Sequence, residues 1–441
     1  MDLKSKFGHQ KPEPDNPEFL YYDSPRNPGV QDTSGLYFPK AVVDPFVLEA
    51  REQVPQISAD NRGLTNLFSK SGNTQGPRFT FEDSRALVIA AMEDYSPELG
   101  RKAREIFDAG YDQAVADARA RTTPRTFDEW TKQQIPRSNP AVRWRLEQVA
   151  PGHTQIQCSN PADSEINPNK YSVIDYQFDG TIDSVVFTAH ELGHSIGDDY
   201  LRQTTKMNQG NTVNCTHKDN PVHMQETQAY FTQSILYGYM QKHSTELEDK
   251  FPGITKAAQD HLKAQANVYL QRFPIAIDAR RALQSSKNGE LANTAVTERW
   301  IGHSWRTRSE GRELADGVEI INSATPGTRL YERGTKLLNA EVESLHSRPM
   351  GLFTALGVYN QVKDLPKDDP RRQAVADAIL DKNGPSTIDD VLEAAEVERS
   401  DLREFAHSAV TTALGNKYEG NTTPAAIQPK NGQPVSSPAP V

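Results

Sequence analysis

Residues 171–200 read YSVIDYQFDGTIDSVVFTAHELGHSIGDDY. The first eight, YSVIDYQF, alternate apolar and polar side chains, the pattern of a strand with one buried face. Asp179-Gly180 is a turn pair. From residue 182 the period changes: Ile182, Val185, Val186, Ala189 and Gly193 recur at helical spacing and predict a helix over 182–196 with these residues on its inner side. The flanking sequence is dominated by helical patterns. Stretches over 83–119, broken at Ser96-Pro97, and over 222–242, 254–272, 277–286, 329–346, 370–382 and 387–414 all read as helices. The fold class is therefore α+β, mainly helical, with a small sheet.

The helix over 182–196 carries His190-Glu191-Leu192-Gly193-His194. Helical residues four apart lie one above the other on one face. His190 and His194 can thus aim two imidazole nitrogens at one ion, roughly 2.0–2.1 Å away for zinc. Glu191 lies about 100° around the helix, beside the ion, where it can take a proton from water. That is the physical content of the HExxH pattern. The neighbours Phe187, Thr188, Ala189, Leu192, Gly193, Ser195 and Ile196 are all uncharged. This favours a site over two incidental histidines on a solvated helix.

Catalytic zinc takes three protein ligands and keeps one position open. The third ligand has competing candidates: Glu226 in HMQETQAYFTQSIL on the helix over 222–242, Asp198 or Asp199 after a turn at Gly197, and His217 or His223. The ion would acidify a water and polarise a carbonyl. Glu191 would take the water's proton and pass it to the leaving amine.

These residues resemble the zincin metallopeptidases. The order of strand, HExxH helix and Glu-bearing helix is similar to the gluzincin branch, and Glu226-Thr227-Gln228-Ala229 resembles its Glu-x-x-Ala segment. The resemblance implies a zinc peptidase acting on protein or peptide, with His190, His194 and Glu226 as ligands and a Tyr or His that stabilises the oxyanion. His217 and His223 are nearest in sequence for that last role, with Tyr230 and His303 further off. His190 to His194 followed by Asp198-Asp199-Tyr200 also looks like the active-site helix of lethal-factor-type toxin peptidases. Two departures stand out. The position four after Glu226, often an Asp that orients a zinc-bound His, is Tyr230. The metzincin alternative, HExxHxxGxx(H/D), finds its glycine in Gly197 but has Tyr200 at the third-ligand position. Met224 would then be its methionine turn, or simply a core residue.

Composition narrows the function classes. The chain has 441 residues, 36% of them hydrophobic and 8% aromatic, and a mean hydropathy of −0.69, with no apolar run near the roughly 18 residues that cross a bilayer. Membrane insertion is not expected. With 49 basic and 59 acidic residues the net charge is −10, and without a dense Lys/Arg stripe a nucleic-acid partner is not expected either. Cys158 and Cys215 exclude a disulfide-rich scaffold and a four-thiolate zinc site. They read as one bridge or as two unpaired thiols. Neither a Gly-rich phosphate loop nor a Gly-x-Ser-x-Gly elbow is present. Trp300-Ile301-Gly302-His303-Ser304-Trp305 reads as helix packing.

Four regions follow. Residues 1–60, with prolines at 12, 14, 17, 25, 28, 39, 45 and 55, read as an extended or disordered arm. Residues 61–275 form the zincin-like catalytic domain, 276–416 a helical region, and 417–441 a disordered tail. The helical region would shape the substrate cleft or act as a separate recognition or delivery module. The opening residues lack an apolar core behind their basic ones and do not read as a signal peptide. Localisation stays open between the cytoplasm and export by a specialised route, the latter suggested by the toxin-like helix. Two other functions fit the same residues: a non-catalytic binding protein on a degenerate zincin fold, and a zinc hydrolase of a non-peptide amide.

Overall fold

The computed structural model describes residues 19–21, 37–60, 76–108, 110–120, 142–148, 156–159, 172–209, 222–285, 347–384 and 386–415. Over these the chain is α+β and mainly helical. A two-stranded antiparallel sheet joins β1 (Phe19–Tyr21) and β2 (Tyr37–Pro39). A three-stranded sheet has the order β3-β5-β4, with β3 (Val142–Gln148) parallel to β5 (Ser172–Phe178) and β4 (Ile156–Ser159) antiparallel to it. The alternating stretch of the sequence is thus the central strand.

Helices α1 (Lys40–Asp60), α2 (Phe81–Tyr95), α3 (Pro97–Asp108) and α4 (Tyr111–Ala120) precede the larger sheet in sequence. Thr80 caps α2 with a reciprocal box, accepting from the Asp83 N–H while Asp83 accepts from the Thr80 N–H. The break at Ser96-Pro97 falls where the sequence places it, because the residue before a proline leaves the helical region. Phe107 stacks on Trp144 of β3 at 4.9 Å between ring centroids, and Phe81 stacks on Phe178 at the end of β5 at 4.3 Å. Aromatic pairs therefore fix the helical layer to the sheet.

After β5 come α5 (Ile182–Gln209), α6 (Val222–Lys242), α7 (Ser244–Lys250) and α8 (Ile254–Ser285). The C-terminal part contains α9, described over 347–362, then α10 (Pro370–Ile379), α11 (Ile388–Ala394), a 3-10 turn at Arg399–Asp401 and α12 (Leu402–Ala413). Among the described residues no helix is long and apolar enough to cross a membrane.

Three expectations need correction. Residues 40–60 are not an extended arm. They form a helix through Pro45 and Pro55, and Val42, Val43, Phe46, Val47 and Ala50 are at most 3% exposed. An interior proline costs about 3 kcal/mol, whereas burying each larger apolar side chain returns about 1.5–3 kcal/mol, so packing wins. Phe46 sits between Phe353 of α9 at 6.1 Å and Phe405 of α12 at 6.0 Å, joining the two ends of the chain. The break expected between helices over 254–272 and 277–286 is also absent. It would fall inside α8, which continues through Pro274 with Phe273 and Ile277 fully buried on either side. The third correction is at Gly197, where no turn occurs: α5 runs on to Gln209. The segments 61–75, 300–305, 329–346 and 417–441, and Cys215, lie outside the described residues.

Candidate metal centre

The site begins at the turn between β5 and α5. Gly180 takes a positive φ of 74°, and its carbonyl accepts from the Phe79 N–H at 3.0 Å. Asp179 Oδ1 accepts from the Thr181 N–H at 2.9 Å and from the hydroxyls of Thr181 and Ser184 at 2.6 Å each. One carboxylate thereby serves the first turn of α5, whose N–H groups lack helical partners. Val185, Val186, Ala189, Leu192 and Ile196 of α5 are fully buried, which fixes the rotation of the helix and leaves His190 and His194 on the opposite side.

Glu226 reaches these histidines because α5 and α6 approach very closely. A Cβ on Gly193 would lie 2.5 Å from the Gln228 carbonyl oxygen and 2.7 Å from Ala229 Cα. Only glycine admits that contact. Thr232 adds a clasp, donating from Oγ1 to the Ala189 carbonyl at 2.7 Å.

The result is one cluster. His190, His194 and Glu226 each place one ligand atom within 4.8 Å of the others. His190 Nε2 lies 3.7 Å from Glu226 Oε2, with the two side chains 12% and 15% exposed. Two ligands of a tetrahedral zinc with bonds of about 2.1 Å are about 3.4 Å apart, so the spacing suits an ion between them. The protonation states suit one as well. Burial pushes the His190 pKa down to about 3, against a hydrogen bond to the Gln233 Oε1 acceptor that opposes the shift, so its imidazole is neutral at ordinary pH. Glu226 Oε2 is buried and accepts no hydrogen bond among the described residues. A neutral nitrogen lone pair thus faces a carboxylate oxygen across a gap that only a cation or a proton would make favourable. These three residues can hold a metal ion.

His190 is oriented from behind. Its Nδ1 lies 3.2 Å from Gln233 Oε1. The Gln233 amide nitrogen donates to Tyr237 Oη at 3.0 Å and to Gln265 Oε1 at 2.8 Å, so its oxygen is the atom left for the imidazole. Tyr237 Oη is in turn 2.7 Å from His261 Nδ1, and His261 Nε2 is 3.6 Å from Asp183 Oδ1. Burial pushes the His261 pKa down and that of Tyr237 up, so both members are neutral. With Nδ1 carrying the proton, Nε2 of His190 is free to ligate. Gln233, and not the residue at position 230, is thus the partner of His190 Nδ1.

Tyr230 has a different place. Its ring meets the His190 ring edge-on at 4.7 Å, and its hydroxyl is 2.5 Å from that of Tyr269 on α8. Burial, then the neighbouring Tyr269 and Glu226, push its pKa well up, so it stays a neutral hydrogen-bonding group. Glu191 is 6% exposed and follows His190 on α5. His223 stands in the first turn of α6 with its side chain outside the described residues, as are His217 and His303 altogether. Asp199 is buried on α5, where Lys102 and Gln203 bind its Oδ2, and it is not part of the cluster. Nor is Asp198. Met224 is fully buried and Tyr200 lies beneath the Lys102 ammonium at 5.0 Å, so both are packing residues.

The residues that the sequence reading missed share one signal. Gln233 and Tyr237 continue the line of Glu226 and Tyr230, at i+7 and i+11 from Glu226 on α6, a polar stripe along one face of the helix. Tyr269, Gln265 and His261 form the matching stripe on α8.

No family model matches the chain, and no curated protein matches it in sequence. Among solved structures it is similar to the crystal structure of a "putative peptidase" from Chlamydophila abortus, at 12% identity and a TM-score of 0.44, over 86% of this chain and 55% of that one. The chain thus spans little more than half the length of that protein.

Proposed function

We propose that the protein is a zinc-dependent metallopeptidase hydrolysing peptide bonds in a protein or peptide substrate, with His190, His194 and Glu226 as the metal ligands. The observation that carries this reading is the meeting of the HExxH histidines with a buried carboxylate from a second helix. Two imidazoles and one carboxylate are a ligand set of catalytic zinc. When bound, zinc supplies Lewis-acid polarisation of the carbonyl and acidification of a water.

The chain's own residues supply the rest. Glu191, next to His190 and shielded from solvent, is the general base that takes the water's proton and delivers it to the departing amine. Gln233 holds His190 in the tautomer that ligates. A hydrogen-bond donor for the oxyanion comes from the Tyr230–Tyr269 hydroxyl pair, with Tyr269 the less buried member and the one able to turn its O–H to a substrate. His217 and His223 remain the competing donors.

Elemental analysis combined with peptide-library cleavage tests the reading. The expected result is one zinc per chain in wild type and in Glu191→Gln, loss of zinc in Glu226→Ala, and cleavage by wild type alone. Absence of zinc from wild type after reconstitution would reject it. Undiminished cleavage by Glu191→Gln would reject the assigned base.

A further inference from the structure

We propose that the metal site is completed from the C-terminal region: Arg348 of α9 is a positioning residue for Glu226, held in place by the packing of Gly351 against the Glu226 backbone. The inference rests on the reading of His190, His194 and Glu226 as metal ligands, and goes beyond it by making α9 part of the site.

The geometry starts at Gly351. A Cβ at this position would lie 2.7 Å from Glu226 Cβ, 2.8 Å from its carbonyl carbon and 3.0 Å from the Thr227 nitrogen. A side chain of any size would push α9 away from the turn of α6 that carries the ligand. The helix therefore lies flush against Glu226, with glycine where the two backbones meet. Arg348, three residues earlier and so on the same face of α9, places its Nε 3.7 Å from Glu226 Oε1. The other carboxylate oxygen, Oε2, faces His190. The two oxygens thus have separate partners: Oε1 is engaged by the guanidinium and Oε2 is turned towards the cluster. A carboxylate held at one oxygen presents the other in a fixed direction, and partners that orient a ligand in this way carry about 10–100-fold in metal affinity.

A guanidinium beside a cation site also repels the ion. The Arg348 side chain is 52% exposed, so water and salt screen that repulsion and the attraction to Glu226 alike, but the attraction acts on the nearer partner, the carboxylate oxygen at 3.7 Å. Orientation should therefore prevail.

The test is zinc affinity by competition with a chromogenic chelator, together with the visible spectrum of the cobalt-substituted protein and the unfolding midpoint of each variant. Arg348→Ala is expected to weaken zinc binding about 10–100-fold and to alter the cobalt spectrum, with little change in the unfolding midpoint of the metal-free protein. Arg348→Lys should recover part of the affinity, and Gly351→Ala should weaken binding by displacing the whole helix. Unchanged affinity in Arg348→Ala and Gly351→Ala, with binding still abolished by Glu226→Ala, would overturn this inference and leave the metal site standing. Tighter binding in Arg348→Ala would overturn it too, since the guanidinium would then act on the ion only as a like charge. Failure of wild type to bind zinc would remove the site and the inference together.

Discussion

Gln233 determines which nitrogen of His190 carries a proton, and it does so because its own amide is fully engaged. It is fully buried, donates twice through Nε2, to Tyr237 and Gln265, and has one oxygen left for the imidazole. Gln233→Leu removes that acceptor, and the ring of His190 becomes free to change tautomer. Zinc affinity should fall about 10–100-fold, measured against a competing chelator. Gln233→Glu is a sharper probe. It keeps an acceptor for His190 but cannot donate to Tyr237 or Gln265, so it brings a charge into a site that solvates it poorly. Its unfolding midpoint in urea should drop below that of Gln233→Leu, although the two side chains are close in size. At Gly193 the constraint is steric. Gly193→Ala sets a methyl against the Gln228 carbonyl and Ala229 Cα, and overpacking of this kind costs about 1–3 kcal/mol. The two helices must separate to relieve it, so zinc affinity and the urea midpoint should fall together.

At the level of elements, the part of the site carried by one helix was legible in sequence, and the part shared between helices was not. Five residues of α5 contain two members of the cluster and the proposed base, because a helix makes spacing equivalent to geometry. Glu226 was accessible as one candidate among several; the close approach that selects it depends on Gly193, whose meaning appears only when α6 is packed against it. Gln233, Tyr269 and Arg348 lie on three different helices; polar stripes on α6 and α8 mark the first two, but no spacing within one helix says that they meet. The central strand β5 is readable from its alternation, and its partner β3 carries the same signal: Val142–Gln148 reads VRWRLEQ, with charges at positions 143, 145 and 147 alternating with Val142, Trp144 and Leu146, the last two buried; the sequence reading passed it over. In helix α1 proline density predicts local irregularity, and burial of Val42, Val43, Phe46, Val47 and Ala50 overrides it. That makes α1 testable. Phe46→Ala opens a space between Phe353 and Phe405 and should cost about 3–5 kcal/mol of stability, measured by chemical denaturation. A loss below about 1 kcal/mol would return residues 40–60 to the status of a loosely attached arm.

Over the whole molecule, the C-terminal helices are joined to the metal-centre helices through a buried polar bridge, and its titration gives the fold a pH dependence of its own. Asp381, fully buried in the left-handed region at φ 56°, accepts from Gln228 Nε2 at 2.6 Å and from the Ser386 N–H at 2.8 Å. Gln228 is on α6, two residues past Glu226, while Asp381 follows α10. Burial pushes the Asp381 pKa up to about 8, more than its hydrogen bonds to Ser386 and Gln228 lower it, and Asp198 adds a further upward push. In the unfolded chain an Asp titrates near about 3.9. Between about pH 4 and about pH 8 the folded protein therefore binds more protons at this site than the unfolded one does, and linkage requires this contribution to stability to fall as pH rises across that window. Asp381→Asn keeps the size, tolerates the left-handed backbone and cannot ionise. Urea midpoints of the two proteins should converge towards pH 5 and separate towards pH 8.5, with the variant the more stable at the alkaline end. Parallel pH profiles would mean that Asp381 is ionised throughout, and that the bridge between the C-terminal helices and α6 is a charge held by Gln228 and Ser386.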